Sequence, residues 1–311
     1  MTDENKVDDA DTDVFEAIGT TGPSKDTDGR WITLPAAGML GIPEADELLR
    51  RRNASVIAIV GERNGGKTTL IAELYERFLR GPFAETLFTH SLSLLGFERK
   101  TFQSRAESGA EYPDTPRTSK QDGLGFFHLA VSSEHARRTD LLISERAGET
   151  YRDVRDRPAG ALDLIEVRKA KAIVFILDGE RVVDPLRRAE AIASVRHLAR
   201  AFMDSNAIAS QCEIQLVTTK IDLLESDALA GARAALEAFE QQFVSAYGSH
   251  FSKVDTFRVA ARDPKGVMAA GFGLEPLLQS WLKPASQPGM PPPPLPQLAD
   301  EFDRLLVRRV G

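Results

Sequence analysis

The segment Gly61-Glu-Arg-Asn-Gly-Gly-Lys-Thr68 follows directly on the apolar run Ser55-Val-Ile-Ala-Ile-Val60. It fits the pattern G-x-x-x-x-G-K-[ST], which is typical of a loop that cradles phosphates. The β-branched run before it predicts a buried parallel strand. Residues 67–79 carry apolar side chains at helical spacing. A strand, a glycine-rich turn and a helix in this order predict a phosphate-binding loop rather than an ordinary turn.

The residues of this loop, 61–68, have separate expected roles. Its backbone N–H groups and the positive end of the following helix attract polyphosphate. Gly61, Gly65 and Gly66 allow the backbone to approach the phosphates closely. We expect Lys67 to reach the β- and γ-phosphates and the Thr68 hydroxyl to ligate Mg²⁺. The other residues expected to bind the nucleotide here are Arg63, Asn64 and Thr69.

The bulk composition limits the class of protein. The 311 residues allow one large domain or two small ones, and 42% hydrophobic content is enough for a sizeable core. A net charge of −7 disfavours nonspecific binding of nucleic acid. No apolar run reaches the length of a membrane span, and the acidic N-terminus is unlike a signal peptide. The single Cys212 predicts a core residue in a reducing compartment, so cytoplasm is the expected location.

Strand and helix patterns alternate over residues 54–284, which predicts an α/β domain with a mostly parallel sheet. The predicted strands are 56–60, 124–132, 140–144, 172–177, 213–218 and 256–260. The predicted helices are 67–79, 184–202, 227–247 and 274–282. Residues 87–95 could add a strand. The polar stretch 101–121 makes the connection between the first two strands long, so we expect it to be functional or to carry its own structure.

The two ends of the chain differ from this domain. Residues 1–30 are acidic and polar and predict a disordered tail. Residues 31–53 predict a lead-in segment with a short helix over 40–52. A proline-rich linker over 285–297 favours an extended chain, and residues 298–311 predict an amphipathic helix. That last helix either docks on its own domain or binds a partner.

Thr219-Lys220-Ile221-Asp222 follows a predicted strand and matches the pattern [NT]-K-x-D. A carboxylate at Asp222 could accept hydrogen bonds from N1–H and the exocyclic amine of guanine. Adenine offers no such pair, so it would leave a polar group unpaired. We expect the stem of Lys220 to lie along the base. Asn5-Lys6-Val7-Asp8 fits the same pattern, but no strand precedes it, and we interpret it as a chance match.

A third segment, Glu145-Arg-Ala-Gly148, comes at the end of a predicted strand and is similar to the pattern D-x-x-G. It looks like the D-x-x-G element of GTPases, in which the acid holds Mg²⁺ through water and the glycine N–H contacts the γ-phosphate, and the resemblance implies these roles for Glu145 and Gly148. Glu145 is one methylene longer than aspartate, and magnesium tolerates little geometric error. Asp140 or Asp178 could therefore contribute instead. The alternative is a plain junction between strand and turn with a solvated glutamate.

The last segment, Val259-Ala-Ala-Arg262, follows the final predicted strand. It resembles an S-A-K loop whose backbone N–H meets the guanine oxygen. Ala260 and Ala261 are small enough for the close approach that this contact needs. We count Arg262 as the third residue of this loop.

In their order and strand context these four segments resemble P-loop GTPases of the TRAFAC class, over about residues 54–283. The segment Ser91-Leu-Ser-Leu-Leu-Gly-Phe-Glu98 and the junction Ala147-Gly-Glu149 look like those of the bacterial double-GTPases. The resemblance implies a three-layer, Ras-like P-loop fold with an enlarged first switch region. It also implies GTP or GDP and Mg²⁺ as ligands. Double-GTPases work beside a second GTPase in multi-protein, defence-type systems, so a second protein or a homodimer is the implied partner.

The chain departs from the small-GTPase pattern in the groups that would assist hydrolysis. Glu149 stands where a Ras-like enzyme has the glutamine that orients water, and it could either replace that glutamine or repel the γ-phosphate. Thr115 and Thr118 are the candidate metal ligands of the first switch. Arg117 and Arg146 are candidate arginine fingers, a group worth about 10³–10⁵ in rate. Without one, we expect turnover well below one per second.

Three functions compete on this sequence. The first is a GTP-dependent molecular switch with slow hydrolysis. The second is a binding module that uses GTP structurally within a GTPase complex. The third is an ATP-dependent P-loop enzyme, for which we find no acceptor site in the sequence. The five histidines show no metal-binding spacing.

Overall fold

The computed structural model describes residues 37–102, 123–133, 138–262 and 266–284. These residues fall in a single compact unit. The predictions for residues 1–30, the linker 285–297 and the helix 298–311 lie outside the described residues, as do Thr115, Arg117 and Thr118. The prediction of a helix in the lead-in segment corresponds to the helix α1, Ile42–Arg51.

A seven-stranded sheet forms the centre of the described residues. Its strands are β1 (Ala54–Val60), β2 (Leu87–His90), β3 (Leu124–Ser132), β4 (Thr139–Arg146), β5 (Ala170–Asp178), β6 (Glu213–Thr219) and β7 (Lys253–Arg258). The strand order is β2-β3-β4-β1-β5-β6-β7. The five strands from β4 to β7 in this order run parallel, whereas β3 is antiparallel to β4 and β2 is antiparallel to β3. The prediction of a mostly parallel α/β sheet is confirmed.

Helices cover both faces of the sheet. After α1 they are α2 (Lys67–Leu79), α3 (Leu94–Thr101), α4 (Gly148–Asp156), α5 (Ile165–Arg168), α6 (Gly179–Val183), α7 (Pro185–Asp204), α8 (Ala230–Tyr247) and α9 (Leu274–Leu282). Short 3₁₀ helices lie at Pro158–Asp163, Ile221–Leu224 and Asp227–Leu229. No helix within the described ranges is long and apolar enough to cross a membrane.

Two apolar cores lie on opposite faces of the sheet, because successive side chains of a strand alternate between its faces. On β1, Ile57 and Ile59 join the core formed with α2, α3 and α9. Ala58 and Val60 join the other core, which includes side chains of α4, α7 and α8. The result is a helix–sheet–helix sandwich in three layers, the architecture expected from the sequence.

Two predicted elements differ from the structure. The extra strand predicted over 87–95 is confirmed only at Leu87–His90, and α3 begins at Leu94 because Phe97 turns inward to stack on Tyr75, with ring centroids 4.8 Å apart. The prediction of a last strand over 256–260 extends too far, since β7 ends at Arg258. Ala260 leaves the sheet ladder because its N–H donates to the carbonyl of Phe272 at 3.1 Å.

The fold gathers the functional segments at one edge. In an open parallel sheet, ligands bind outside the carboxyl ends of the strands. The phosphate loop follows β1, Glu145 lies at the end of β4, and Asp178 ends β5. Thr219 ends β6, so the segment 219–222 lies at the same edge.

Candidate nucleotide-binding site

The phosphate loop makes a tight turn between β1 and α2. Asn64 and Gly66 adopt left-handed backbone conformations, with φ of 62° and 86°. A Cβ atom at Gly61 would lie 2.8 Å from Cβ of Ile176 on β5, a distance that real Cβ atoms do not show. The glycine therefore lets the loop lie against the neighbouring strand.

The side chain of Lys67 folds back over the first residues of this loop. Its ammonium donates hydrogen bonds to the carbonyl oxygens of Gly61 and Glu62, both at 2.9 Å, and the side chain is buried. Burial lowers the pKa of Lys67, and the nearby carboxylates of Glu145, Glu149 and Glu62 oppose that shift. The charge thus sits above the loop, where bound phosphates would meet it.

Thr68 and Glu145, two of the residues predicted to hold Mg²⁺, lie in direct contact. The Thr68 hydroxyl donates to Oε1 of Glu145 at 2.6 Å, and Glu145 is almost fully buried. The structure does not bring Asp140 to this edge, because Asp140 pairs in register with Ala54 at the start of β1. Asp178 lies at the correct edge, but its carboxylate pairs with Lys220.

These two oxygens fit a magnesium ion in part. Mg²⁺ prefers oxygen ligands and is usually held by one or two protein groups together with phosphates and water. Groups of three or more histidine, cysteine, aspartate or glutamate side chains suited to a metal are absent from the described residues. The hydroxyl of Thr68 and the carboxylate of Glu145 would therefore hold Mg²⁺ only together with a bound nucleotide.

Gly148 brings the start of α4 against the phosphate loop. A Cβ atom there would lie 2.3 Å from the backbone nitrogen of Arg63 and 2.5 Å from the carbonyl carbon of Glu62. Only glycine fits this approach. The next residue, Glu149, forms a solvent-exposed ion pair with Arg63 at 3.6 Å. The loop predicted to sense the γ-phosphate thus touches the loop predicted to bind it.

Arg146 points away from this contact. Its guanidinium makes two hydrogen bonds, of 2.6 and 3.0 Å, to the buried carboxylate of Glu166, which also accepts one from the Tyr151 hydroxyl at 3.2 Å. Burial alone would lower the pKa of Arg146, but Glu166 raises it. An arginine finger at Arg146 would require this pair to open, whereas Arg117 lies outside the described residues.

The predicted base-recognition segment is joined to the phosphate loop. The Thr219 hydroxyl donates to the carbonyl of Gly65 at 2.8 Å. Lys220 has a left-handed backbone, and its ammonium lies 3.0 Å from Asp178 and 2.6 Å from Glu180. Burial alone would lower the pKa of Lys220, but these two carboxylates raise it. Asp222 follows in the 3₁₀ helix.

The segment 259–262 lies beside this base-recognition segment. The N–H of Ile221 donates to the carbonyl of Val259 at 3.2 Å, and Ala260 is fully buried. Nε of Arg262 lies 3.4 Å from Oε2 of Glu73 on α2. Ala261 lies between Ala260 and Arg262 in this segment. The fold therefore gathers the four predicted segments, 61–68, 145–148, 219–222 and 259–262, at one edge of the sheet.

Several residues near the site do not follow from the sequence patterns. Glu62 in the phosphate loop binds Arg155, Arg181 and Ser194, from three different helices. A glutamate within a phosphate-binding loop is the one signal the sequence offers for this cluster, because its charge opposes that of the phosphates. Asp178 and Glu180 flank a glycine directly after β5, and that pattern gives no hint that they hold Lys220.

A phosphate loop at the carboxyl edge of a mostly parallel sheet, joined to a T-K-x-D segment, is the architecture of a P-loop GTPase. The comparison with protein families agrees. Residues 55–282 match the family described as Double-GTPase 2, and the chain belongs to that family. The chain thus has a GTP-binding fold and belongs to a family of GTP hydrolases. No curated protein matches the chain.

Among solved structures, the chain is similar to Roco2 RocCORdC of Methanosarcina barkeri bound to GDP, with 15% identity, a TM-score of 0.36 and coverage of 74% of this chain. This chain spans about half, 48%, of that protein's length. The signal recognition particle receptor SRb-GTP/SRX complex of Chaetomium thermophilum gives 13% identity and a TM-score of 0.40, covering 73% of this chain and 96% of that one. Elongation factor SelB of Methanococcus maripaludis in complex with the GTP analogue GppNHp gives 13% identity and a TM-score of 0.37, covering 75% of this chain and 35% of that one.

Proposed function

We propose that this chain is a TRAFAC-class molecular switch that binds GTP with Mg²⁺ and hydrolyses it slowly in the bacterial cytoplasm. The observation that carries the proposal is the hydrogen bond from Thr219 to the carbonyl of Gly65. It joins the segment suited to guanine to the loop suited to phosphates, so one nucleotide can span both. The proposed partner is a second protein, such as another GTPase of a defence-type assembly, or a second copy of this chain.

The residues at the phosphate end have distinct proposed roles. Backbone N–H groups of residues 61–68 and the N-terminus of α2 bind the β- and γ-phosphates, with Lys67 supplying a positive charge. The Thr68 hydroxyl and the Glu145 carboxylate would hold the metal ion. When bound, Mg²⁺ would neutralise phosphate charge as the bond to the γ-phosphate breaks. The backbone N–H of Gly148 would contact the γ-phosphate.

Slow hydrolysis is supported by the groups around the expected water site. Glu149 carries a carboxylate where glutamine would orient water, and it is held by the exposed pair with Arg63. Arg146 is occupied by Glu166. Stabilisation of the transition state would then depend on Lys67 and on an arginine finger supplied by Arg117 or by a partner.

The first experiment tests base recognition. We expect GTP to bind the purified protein and ATP not to compete, because adenine lacks the pair of donors that Asp222 would accept from guanine. Asp222→Asn should lower GTP affinity by about 10-fold or more, on the order expected for a lost charged hydrogen bond, and shift preference toward xanthosine triphosphate. The matched control is Asp227→Asn, at an exposed carboxylate in the next 3₁₀ helix. Equal competition by ATP would instead support an ATP-dependent enzyme.

A second candidate is a GTP-binding module that hydrolyses poorly and serves a GTPase complex structurally. The Glu149 carboxylate at the γ-phosphate end favours it, because like charges repel there. Multiple-turnover hydrolysis, measured alone and with a candidate partner, separates the two. Turnover that a partner accelerates supports the switch, and none under either condition supports the module.

A further inference from the structure

Glu62, the second residue of the phosphate loop, turns its carboxylate away from the loop and toward three helices. Oε1 accepts a hydrogen bond from the Ser194 hydroxyl on α7 at 2.6 Å, and Oε2 accepts one from Arg181 on α6 at 2.7 Å. Arg155 on α4 forms a further ion pair with Oε1. The side chains of Glu62, Arg155 and Arg181 are only 18%, 15% and 11% exposed. The cluster therefore connects the phosphate loop to α4, α6 and α7 at a mostly buried point.

The same loop contacts α4 at both of that helix's ends. Gly148, its first residue, lies against the backbone of Glu62 and Arg63. Arg155, in its last turn, reaches the Glu62 carboxylate. Tyr151, between them, is fully buried and bonds Glu166. Helix α4 is thus held at its two ends by the phosphate loop and at its middle by the core.

The charge on Glu62 is maintained within this cluster. Burial alone would raise the pKa of Glu62, but the hydrogen bonds from Ser194 and Arg181 and the charge of Arg155 lower it. A carboxylate in a loop that binds polyphosphate is repelled by its ligand unless cations offset it. Two arginines do so here. Burying Arg155 and Arg181 beside Glu62 costs desolvation free energy. Because both arginines bind the Glu62 carboxylate and not the phosphate loop's ligand, this cluster has a role other than binding phosphate.

We propose that Glu62 is a positioning residue that sets the preference for GTP over GDP, by holding α4 so that Gly148 stays at the γ-phosphate. This rests on the proposed function, since it assumes that guanine nucleotides occupy the loop. GDP has no γ-phosphate and makes no use of Gly148. Loosening α4 should therefore weaken GTP binding and leave GDP binding almost unchanged.

The test compares the affinities of GDP and the β,γ-imido analogue of GTP on the full chain. We expect Glu62→Gln to lower the affinity for the analogue by about tenfold relative to the affinity for GDP, a usual size for coupling between two sites. Arg155→Gln should reproduce most of this change, and Arg155→Lys should restore part of it. The matched control is Glu240→Gln, because Glu240 on α8 is a mostly buried carboxylate that accepts two hydrogen bonds from Arg258 of β7 rather than from α4.

A second readout separates positioning from loss of stability. Hydrogen exchange of the amides of α4 in the GDP complex should speed up in Glu62→Gln and Arg155→Gln but not in Glu240→Gln. If Glu62→Gln leaves the ratio of the two affinities unchanged, whether or not both affinities fall, the proposal is overturned, while the proposal that the unmodified protein binds GTP still stands. Failure of the unmodified protein to bind either guanine nucleotide would instead overturn the proposed function.

Discussion

Gly148 and Gly179 are the residues whose missing side chains allow the loops of the site to touch. A Cβ atom at Gly179 would lie 2.2 Å from the carbonyl oxygen of Thr219, as close as the one at Gly148 would lie to the backbone of Arg63. Backbone atoms cannot yield as the end of a flexible side chain does. The contact between the phosphate loop and α4 therefore depends on Gly148, and the contact between the start of α6 and the base-recognition segment depends on Gly179.

Gly148→Ala tests this dependence. We expect the new methyl group to push α4 from the phosphate loop, destabilising the protein by about 1–3 kcal/mol, as overpacking does. Affinity for the β,γ-imido analogue of GTP should fall as well. Thermal unfolding and nucleotide titration measure the two effects. The control is Gly231→Ala, where a Cβ atom meets nothing within 4 Å and alanine favours the helix.

The edge formed by β2, β3 and α3 is tied together by a buried histidine. His128 on β3 accepts a hydrogen bond from the N–H of Leu92 at Nδ1, at 2.9 Å, so Nε2 carries the proton given to Asp140, also at 2.9 Å. Burial lowers the pKa of His128, with Asp140 opposing the shift and Arg138 and His90 adding to it. The neutral ring is therefore the form that connects the strand to the segment before α3.

Acid should therefore weaken this element. The pKa of His128 is lower in the folded protein than the ordinary histidine value of 6.5. As the pH falls below 6.5, the unfolded chain therefore binds a proton at this residue more readily than the folded protein does. Its contribution to stability is complete above that pH and declines below it. Asp140, whose pKa is also lowered, loses its contribution only in stronger acid, near and below its ordinary value of 3.8.

The measurement is the free energy of unfolding in urea at pH 7 and pH 5. The unmodified protein should lose more stability across this interval than His128→Gln does, because glutamine takes up no proton in either the folded or the unfolded chain. His197→Gln, at an exposed position on α7, should behave like the unmodified protein. An identical loss in all three proteins would rule out His128 as the group responsible.

At the scale of the whole molecule, contacts that stabilise the fold and groups predicted to bind the nucleotide lie at opposite ends of the sheet. Trp281 on α9 is fully buried, and its indole N–H donates to Gln215 at 2.8 Å. Gln215 lies near the start of β6, whereas the predicted nucleotide groups lie at the end of that strand. The far end of the sheet therefore holds the fold together without touching the proposed ligand.

Trp281→Ala should cost about 3–5 kcal/mol of stability, the usual range for a buried aromatic residue. At a temperature where the variant stays folded, its affinity for GDP should equal that of the unmodified protein. Urea unfolding and nucleotide titration check the two parts. Leu162→Ala, at a half-exposed side chain in the 3₁₀ helix Pro158–Asp163, is the control and should change neither much. A large loss of GDP affinity in Trp281→Ala would contradict this separation.

Much of the fold could be predicted because its signals are local. The helices α2 and α9 begin and end where their apolar periodicity predicts, and β3 matches its predicted bounds. Helix α4 does not follow from the sequence pattern, because its nine residues are mostly polar and bury only two large side chains, Tyr151 and Val154. It is held by Tyr151 and Arg155, whose partners Glu166 and Glu62 lie on other elements.

The strand, phosphate loop and helix at residues 54–79, and the order of the later segments, follow from the amino-acid sequence alone, since neighbouring residues suffice to define them. The partners of the charged groups follow only from the tertiary structure. Glu62 meets Arg155 and Arg181 across 93 and 119 residues of chain, and Arg146 meets Glu166 rather than the phosphate loop. Side chains of a given type can pair with many others, and only the packing of helices against the sheet selects among them.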